Sequence, residues 1–315
     1  MARIISSVIP LYNEQDNVEP LYEELKKSFE NLKNQKIVED YEMIFVNDGS
    51  SDNTQKNLVK ISKKDKRLKI VELRKNFGQT AGLKAGFDVA KGDLIVTMDG
   101  DLQNDSSDIK SLIIKLDEGY DVVSGWRKNR KDKSGKKYAS KIMNFLRKKM
   151  IGDDLHDYGC SLKLYKKECI KDLQLFGELH RYITAYLHIK GYKIGEVEVN
   201  HRPRKSGKTK YKFNRGLNGI LDLVYLKFWS NFSTRPLHFF GRLGIYQWII
   251  SIIIIVEQVI KALIIKQLNF GPLMALSSML AITGLLTILF GFLFEIIMRM
   301  YFKKEDIYSV KRIIS

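Results

Sequence analysis

The stretch that decides the fold occupies residues 94–103 and reads Leu-Ile-Val-Thr-Met-Asp-Gly-Asp-Leu-Gln. Its first five residues form an unbroken, mostly apolar run, which is typical of a strand buried on both faces. The run stops at Asp99 and Asp101. Because ligands bind at the carboxyl ends of the strands in open α/β sheets, these two carboxylates are predicted to lie at a binding edge.

The spacing of these acidic residues indicates a class of ligand. Side chains two residues apart on an extended chain point the same way, so Asp99 and Asp101 can converge on one hard divalent cation. Gln103 repeats the two-residue step and offers a third oxygen. Such a set of oxygens suits Mg²⁺ or Mn²⁺. A plain polar turn is the alternative, because Asp and Gly are common turn formers.

Strands and helices alternate around this stretch. The sequence predicts strands over 4–9, 42–46, 68–73, 94–98 and 121–124, an edge strand over 192–200, and helices over 18–32, 79–90 and 107–118. The first strand is expected to stop at Pro10, which cannot donate to a ladder. This order favours an α/β fold with a mostly parallel, helix-covered sheet of the nucleotide-binding kind. No glycine-rich phosphate loop follows any strand, which argues against a P-loop ATPase and an NAD enzyme.

Acidic or polar clusters follow three of these strands, and they contain Glu14, Asp48 and Asp99. Carboxylates gathered at one edge repel one another, and a bound cation or a hydrogen-bonding ligand would offset that repulsion. Stability alone gives no reason for such a gathering. The clusters therefore indicate a binding site.

The composition points to an anionic partner. The 315 residues carry a formal charge of +17 and have a pI of about 9.6. Nucleic acid, an anionic membrane surface or phosphorylated substrates would each suit that balance. The two cysteines, Cys160 and Cys169, lack metal-ligand spacing, and reduced thiols are expected. The N-terminal residues do not have the character of a signal peptide.

The last quarter of the chain predicts a membrane anchor. Residues 213–240 mix aromatic, apolar and basic side chains, which suits amphipathic helices in the membrane interface. Two transmembrane helices are predicted over about 243–265 and 273–297, and a tail over 301–315. Within the first helix, Glu257 and Lys261 lie four residues apart and could pair. The alternative is a buried helical pair in a soluble protein.

Basic residues flank this predicted hairpin on both sides: Arg235, Arg242, Arg299, Lys303 and Lys304. The positive-inside rule then places both ends, and with them a catalytic domain at residues 1–212, in the cytoplasm.

Two further segments are strongly basic. Residues 126–137 could form a solvated surface, a patch that faces an anionic membrane, or a site for a phosphate. Residues 201–211 contain Arg202, Lys208 and Tyr211 around a glycine. Such a loop is often disordered, and in an enzyme that acts on phosphates it forms a mobile clamp.

Taken together, residues 10–14, 47–54, 76–78 and 99–103 resemble the ordered motifs of family 2 glycosyltransferases with a GT-A fold. More closely, the chain resembles the dolichol-phosphate mannose synthase group and its bacterial polyprenyl-phosphate glycosyltransferase relatives, over nearly its whole length. The resemblance implies an inverting, membrane-bound enzyme that moves one sugar from a UDP- or GDP-linked donor to undecaprenyl or dolichyl phosphate. It also implies a cytoplasmic catalytic face, in the plasma membrane if the source is bacterial or archaeal, and a homo-oligomer such as a tetramer.

The resemblance also implies roles for single residues. The nucleotide pocket would be lined by Pro10, Tyr12, Glu14 and Asp48. The metal, Mg²⁺ or Mn²⁺, would be held by Asp99, Asp101 and Gln103. The donor diphosphate would be covered by Arg202 and Lys208, with Tyr211 beside the pocket.

For the acceptor, the resemblance implies that its phosphate is captured by Arg127, Lys136 and Ser140. Lys136 stands where arginine is frequent in the group, and lysine binds phosphate only as a point charge. Asp157, in the matching stretch 156–163, would act near the sugar or the acceptor beside Asp101 and Arg127. Residues 178–181 also resemble a family stretch. Gly100 replaces a common alanine, and no functional consequence is expected.

Three other functions compete with this interpretation. A processive polysaccharide synthase of the same family would carry a Gln-x-x-Arg-Trp motif and more membrane spans, and the sequence has neither. A membrane-bound nucleotide-sugar-binding protein without turnover would not need Asp99, Asp101 and Arg202 together. A nucleic-acid enzyme would share the positive charge but would not explain the hairpin, so no nucleic-acid partner is expected.

Overall fold

The computed structural model describes residues 3–128, 148, 150–152, 155–171, 173, 175, 177–203, 221, 224–225, 227–229, 231–232, 235–266 and 271–302. The chain divides into two compact units, at residues 1–223 and 224–315. Each unit is described separately below. The predicted domain boundary at residue 212 lies outside the described residues and stays a prediction.

The first unit contains one mixed sheet. Its strands are β1 Ile4–Leu11, β2 Asp40–Asn47, β3 Leu68–Glu72, β4 Leu94–Thr97, β5 Val122–Trp126, β6 Lys163–Lys166 and β7 Ile194–Glu198, in the order β3-β2-β1-β4-β6-β5-β7. β6 runs antiparallel to both of its neighbours, and the other pairs are parallel. The predicted, mostly parallel α/β sheet is therefore confirmed. β6 was not predicted, because its four residues begin and end with lysine and show no apolar run.

Helices cover both faces of this sheet. They are α1 Val18–Asn34, α2 Thr54–Ser62, α3 Gln79–Val89, α4 Ile109–Asp117, α5 Lys167–Lys171 and α6 Ile183–Ile189. On one face, Leu25 and Phe29 of α1 share a buried core with Ile5. On the other face, Phe87 of α3 shares a core with Val8. Alternate residues of β1 thus enter opposite cores, as the two-residue period of a strand requires.

The strand order reverses between β1 and β4, and such a switch point opens a crevice at the carboxyl edge of a sheet. The prediction that β1 stops at Pro10 is wrong, because the strand continues to Leu11. The Leu11 carbonyl accepts from the Asp48 N–H on the β2 side at 2.8 Å. The Pro10 nitrogen therefore faces the β4 side, where pairing has already ended at Val8, and no ladder bond is lost.

The second unit contains a pair of long apolar helices, α7 Pro236–Ile265 and α8 Pro272–Phe302. Both are long and apolar enough to cross a membrane. The predicted spans lie inside them, although α7 begins earlier than predicted. Most of their apolar side chains are exposed, which a core helix of a soluble protein would not show. These features fit association with a membrane.

Small residues bring α7 and α8 together. A Cβ atom at Gly244 would lie 2.6 Å from the Gly284 carbonyl oxygen, so glycine permits the close approach of the two backbones. Nearby, Ser251 Oγ donates to the Ser277 carbonyl oxygen at 2.7 Å. Small side chains and interhelical hydrogen bonds are the usual means by which helices associate in lipid. The predicted pair of Glu257 and Lys261 is confirmed at 2.6 Å.

Candidate active site

The turns that follow β1 and β2 are bonded to each other at the switch point. The Asn13 N–H donates to Ser50 Oγ at 2.9 Å, and Asn13 Oδ1 accepts from the Ser51 N–H at 2.8 Å. The Glu14 N–H donates to Thr54 Oγ1 at 2.9 Å. Asn13 adopts a left-handed backbone, with φ 52°, a conformation that asparagine tolerates better than most residues. The two turns therefore form one connected rim.

Three residues predicted for the nucleotide pocket belong to this rim. They alternate along residues 10–14, around the end of β1, and each is partly exposed: Pro10, Tyr12 and Glu14. Glu14 Oε2 accepts from Asn17 Nδ2 at 2.6 Å, which fixes the carboxylate at the start of α1. The structure thus gathers these three residues at the crevice.

Asp48, the fourth of that group, is 3% exposed and uses both carboxylate oxygens within the protein. Oδ1 accepts from the Phe77 N–H at 2.7 Å, and Oδ2 accepts from the Gly78 N–H at 2.9 Å. Next to it, Gly49 has φ +64°, and a Cβ atom there would lie 2.3 Å from the Lys75 carbonyl carbon. Asp48 and Gly49 together hold the loop that leads into α3.

The acidic pair lies in a turn after β4 and not on the extended strand. β4 ends at Thr97, and Leu102 has a left-handed backbone, with φ 61°. The expectation that a two-residue strand period aligns Asp99 with Asp101 is therefore wrong, because the chain has already left the strand. Burial, and then the negative charge of Asp101, raise the pKa of Asp99.

Bonds around the acidic pair orient this turn. Gln79 Nε2 donates to Asp99 Oδ1 at 2.7 Å, and the Asp99 N–H donates to Ser161 Oγ at 3.2 Å. Asp101 is 5% exposed, and its Oδ1 accepts from the Gln103 N–H at 3.2 Å. Gln103 Nε2 donates to the Arg202 carbonyl oxygen at 3.4 Å. The amide oxygen of Gln103 takes no part in that hydrogen bond.

This donor set fits a hard cation that also binds a ligand. Among the described residues, no group of three or more His, Cys, Asp and Glu side chains could hold a metal by itself. Mg²⁺ is commonly bound by one or two carboxylates together with substrate phosphates. A pair of carboxylates with an amide oxygen two residues on matches that mode.

Arg127 and Asp157 form a buried pair beyond the end of β5. Arg127 Nε lies 2.7 Å from Asp157 Oδ2, and Nη2 lies 2.9 Å from Oδ1, so the contact is bidentate. Their side chains are 10% and 13% exposed. Burial alone would raise the pKa of Asp157, but the hydrogen bonds and charge of Arg127 outweigh it and lower that pKa. Asp157 therefore stays ionised at neutral pH.

Arg202 contacts the turn after β4 that carries Asp99, Asp101 and Gln103. Its N–H donates to the Gln103 carbonyl at 2.8 Å, and its guanidinium pairs with Glu24 at 2.7 Å and Asp105 at 2.6 Å. The residue expected to cover the diphosphate thus neighbours the predicted metal ligands, although its charge is paired within the protein. The other expected contacts, Lys136, Ser140, Lys208 and Tyr211, lie outside the described residues.

A cavity of about 70 Å³ adjoins Asp99. Polar side chains make up much of its wall: Gln79, Asp99, Ser161, Lys163, His180 and Arg181. Lys163, on β6, is 3% exposed, and its ammonium donates to the carbonyls of Tyr158 and Cys160. Burial lowers the pKa of Lys163. A single water needs about 10–15 Å³, so the cavity is large enough for several waters or for part of a ligand.

Sequence reasoning missed several of these contacts. Gln79 and Lys163 were not predicted as site residues, although Gln79 follows the motif at 76–78 and Lys163 ends the stretch 156–163. No local pattern distinguishes a glutamine that begins a helix, or a lysine that begins a short strand, from a surface residue. Both lie at the site because the order of the strands in the sheet brings distant parts of the chain together.

The fold and the acidic edge define a protein with the GT-A architecture. Among solved structures, the chain is similar to glucosyl-3-phosphoglycerate synthase from Mycobacterium tuberculosis in complex with phosphoglyceric acid, with a TM-score of 0.54 and 19% identity over 71% of this chain and 80% of that one. It is also similar to the same enzyme in complex with Mn²⁺, UDP and glucosyl-3-phosphoglycerate, with a TM-score of 0.53 and 16% identity over 72% of this chain and 80% of that one.

Sequence comparison is more specific. Residues 6–174 match the model of glycosyl transferase family 2. The chain is also 38% identical to dodecaprenyl-phosphate galacturonate synthase of Rhizobium johnstonii over 307 residues, which cover 96% of this chain and 89% of that protein. The chain therefore belongs to glycosyl transferase family 2 and is a membrane-bound glycosyltransferase, as the motifs predicted.

Proposed function

We propose that this enzyme transfers one sugar from a nucleotide-diphosphate sugar to a polyprenyl phosphate at the cytoplasmic face of a membrane. The observation that carries the proposal is the pair Asp99 and Asp101 at the β1/β4 switch point. The chain is similar to a dodecaprenyl-phosphate galacturonate synthase over most of its length, and it ends in two membrane-length helices. That similarity supports a lipid phosphate as the acceptor.

The donor would occupy the edge formed by β1, β2 and β4. Pro10, Tyr12, Glu14 and Asp48 would surround the nucleotide, and Arg202 and Lys208 would approach the diphosphate. Asp99, Asp101 and Gln103 would hold Mg²⁺ or Mn²⁺, which would stabilise the negative charge of the departing diphosphate. Arg202 would have to exchange its pairs with Glu24 and Asp105 for the donor.

Arg127, Lys136 and Ser140 would bind the acceptor phosphate. A phosphate monoester has a second pKa near ~6 and is largely a dianion at neutral pH, so it needs no general base. A phosphate oxygen would form a bond to the anomeric carbon while the bond from that carbon to the diphosphate breaks, and the electron pair would leave with the nucleoside diphosphate. Attack from the opposite side inverts the configuration.

Asp157 would act on this step through Arg127. Both of its oxygens accept hydrogen bonds from the guanidinium, and its pKa is lowered, so it is poorly suited to take a proton. We assign it the role of orienting Arg127, whose bidentate pairing with a carboxylate fixes the guanidinium plane.

The basic residues of the chain support a cytoplasmic side for the catalytic domain. Three arginines lie near the start of α7 and the end of α8: Arg235, Arg242 and Arg299. Their positive charge favours a cytoplasmic location for these two ends of the hairpin. We propose the plasma membrane of a bacterium or archaeon as its location, and a homo-oligomer such as a tetramer as its assembly.

A donor panel tests the function directly. The full-length protein in detergent is incubated with undecaprenyl phosphate, Mn²⁺ or Mg²⁺ and a series of labelled nucleotide sugars. The panel contains UDP-linked glucose, N-acetylhexosamine, pentose and galacturonate, and GDP-linked mannose. We expect one donor to give a lipid-extractable monosaccharide product. Free sugar alone, or a growing polysaccharide, would contradict the proposal.

A further inference from the structure

One carboxylate holds the turn that carries Asp157. Glu196 Oε1 accepts from the His156 N–H at 3.0 Å and from the Asp157 N–H at 2.9 Å. Glu196 Oε2 accepts from the His156 N–H at 3.1 Å and lies 2.8 Å from His156 Nδ1. The Glu196 carboxylate thus contacts the backbone N–H groups of His156 and Asp157 and also the His156 ring.

This carboxylate comes from a different part of the fold. Glu196 lies in β7, at the edge of the sheet, and is in register with Ser124 of β5. Arg127 follows the end of β5. The pairing of β7 with β5 therefore brings Glu196 to the turn at 156–157. The end of β5 also determines the position of the Arg127 backbone.

The contacts continue from this turn to the guanidinium. Asp157, whose N–H is held by Glu196, accepts from Arg127 N, Nε and Nη2 at 3.2, 2.7 and 2.9 Å. The backbone and the side chain of Arg127 are both bound by the same carboxylate. A displacement of the turn at 156–157 would therefore move the guanidinium with it.

Burial distinguishes Glu196 from its neighbours. Its side chain is 11% exposed, whereas the His156 ring above it is 62% exposed. That ring stacks on Trp126 with the ring centroids 4.4 Å apart. On the same strand, Glu198 is 54% exposed and pairs with Lys128. The chain thus offers a matched control two residues from the residue of interest.

We propose that Glu196 is a positioning residue, which acts through the turn at 156–157 to hold Asp157 and thereby aim Arg127 at the acceptor phosphate. The inference rests on the proposed function, because the acceptor is the ligand that Arg127 would meet. Glu196 itself touches neither substrate.

The test compares Glu196→Gln with Glu198→Gln in the full-length enzyme. Glutamine keeps the shape of Glu196 but leaves one oxygen as an acceptor and turns an NH₂ group toward other donors. The values of kcat and KM are measured for undecaprenyl phosphate and for the donor that the panel identifies. We expect Glu196→Gln to lower kcat/KM for undecaprenyl phosphate by about tenfold or more, with the donor KM within about twofold. Glu198→Gln should change neither by more than about twofold.

A purely structural role for Glu196 would give a different result. Equal increases in the KM values of both substrates, or unchanged kinetics for Glu196→Gln, would overturn the inference. In the double variant with Asp157→Asn, we expect a loss no larger than that of Asp157→Asn alone, because both act on Arg127. Losses that multiply would overturn it.

Thermal unfolding keeps the inference separate from the proposed function. If the wild-type protein transfers no sugar to undecaprenyl phosphate, the proposed function fails, but the coupling of Glu196 to Asp157 can still be measured. A decrease in Tm for the double variant that is smaller than the sum of the single decreases supports the inference. A decrease equal to the sum overturns it.

Discussion

The two halves of the sheet edge obtain their polar residues in different ways. In the parallel half, made of β1 to β4, the residues that matter directly follow buried strands, and their turns bond to each other. In the mixed half, made of β5 to β7, Arg127 is positioned by Asp157 and Asp157 by Glu196, which belong to separate segments. Within the mixed half, the antiparallel β6 is the strand that pairs with β4.

This difference has a consequence for how substitutions act. In the parallel half, removing one side chain should affect the ligand that it holds. In the mixed half, removing one side chain should displace its neighbours as well, because each contact depends on the next. The predictions below test that contrast, beginning with the largest expected effect.

Asp101→Ala should lower sugar transfer by at least about a thousandfold, since it removes one of two carboxylates that would hold the metal against the diphosphate, a contribution of several kcal/mol. Initial rates with the donor from the panel measure the effect. Asp88→Asn, on the exposed surface of α3, is the control and should keep the wild-type rate. A variant at position 101 with most of the activity left would remove the metal pair from the mechanism.

Arg127→Ala should affect both transfer and folding. It leaves the Asp157 carboxylate buried without its cation, and breaking a buried pair costs about 3 kcal/mol or more. For a unit of this size, we expect a decrease in Tm of about 6–12 °C. Differential scanning fluorimetry of the full chain in detergent provides the measurement.

Arg127→Lys is the informative companion, because it keeps the charge but loses the bidentate geometry. Compared with Arg127→Ala, Arg127→Lys should restore part of the lost Tm and little of the lost sugar transfer. Full recovery of both would show that charge alone suffices, and that the mixed half does not depend on orientation.

Asp48→Asn should cost about 1.5–3 kcal/mol, because the amide replaces one of the two oxygens that accept from Phe77 and Gly78 with a donor. Tm should fall, and the affinity for the nucleotide should weaken with it, while KM for undecaprenyl phosphate stays within about twofold. An equal increase in both KM values would contradict the separation of the two halves.

Acid should weaken the mixed half through Asp157. Its pKa is lowered in the folded state, since the bonds and charge of Arg127 outweigh the effect of burial. A group with a lowered folded pKa stabilises the protein above its unfolded pKa, near ~4, and that stabilisation is lost as pH falls through the folded value. Asp157→Asn should therefore flatten the decrease in Tm below about pH 4. An unchanged slope would show that Asp157 is not the group involved.

Gly100→Ala should have the smallest effect. A Cβ atom there would lie 2.2 Å from Leu11 Cδ2, so the leucine must rotate, but the obstacle is the end of a side chain and not backbone. A cost of about 1 kcal/mol and transfer within about threefold are expected. A large loss of activity would show that the turn after β4 tolerates no displacement.

The same contrast explains what the sequence could predict. Apolar runs that stop at Asp48 and Asp99 identified the parallel half, because a strand and the turn that follows it are both local features. The prediction that a strand period aligns Asp99 with Asp101 is wrong, because the chain turns after Thr97. The predicted strand end at Pro10 is also wrong, since the register of β1 with β4 cannot be seen in the sequence.

The mixed half could not be predicted to the same depth. β6 is short and begins and ends with lysine, and Glu196 resembles any exposed acid in an alternating strand. The link from Glu196 to Arg127 depends on the pairing of β5 with β7, which brings together residues about seventy positions apart. Resemblance to a family identified Arg127 and Asp157, but not the bond between them.

The binding of Mn²⁺ tests the central claim most directly. Electron paramagnetic resonance follows free Mn²⁺ as wild-type protein and Asp101→Ala are titrated, with and without UDP or GDP. We predict that the wild-type protein binds about one Mn²⁺ per chain only when one of these nucleotides is present, and that Asp101→Ala binds none. Equal binding by both proteins, or no binding by the wild type with either nucleotide, would contradict the assignment of the acidic pair.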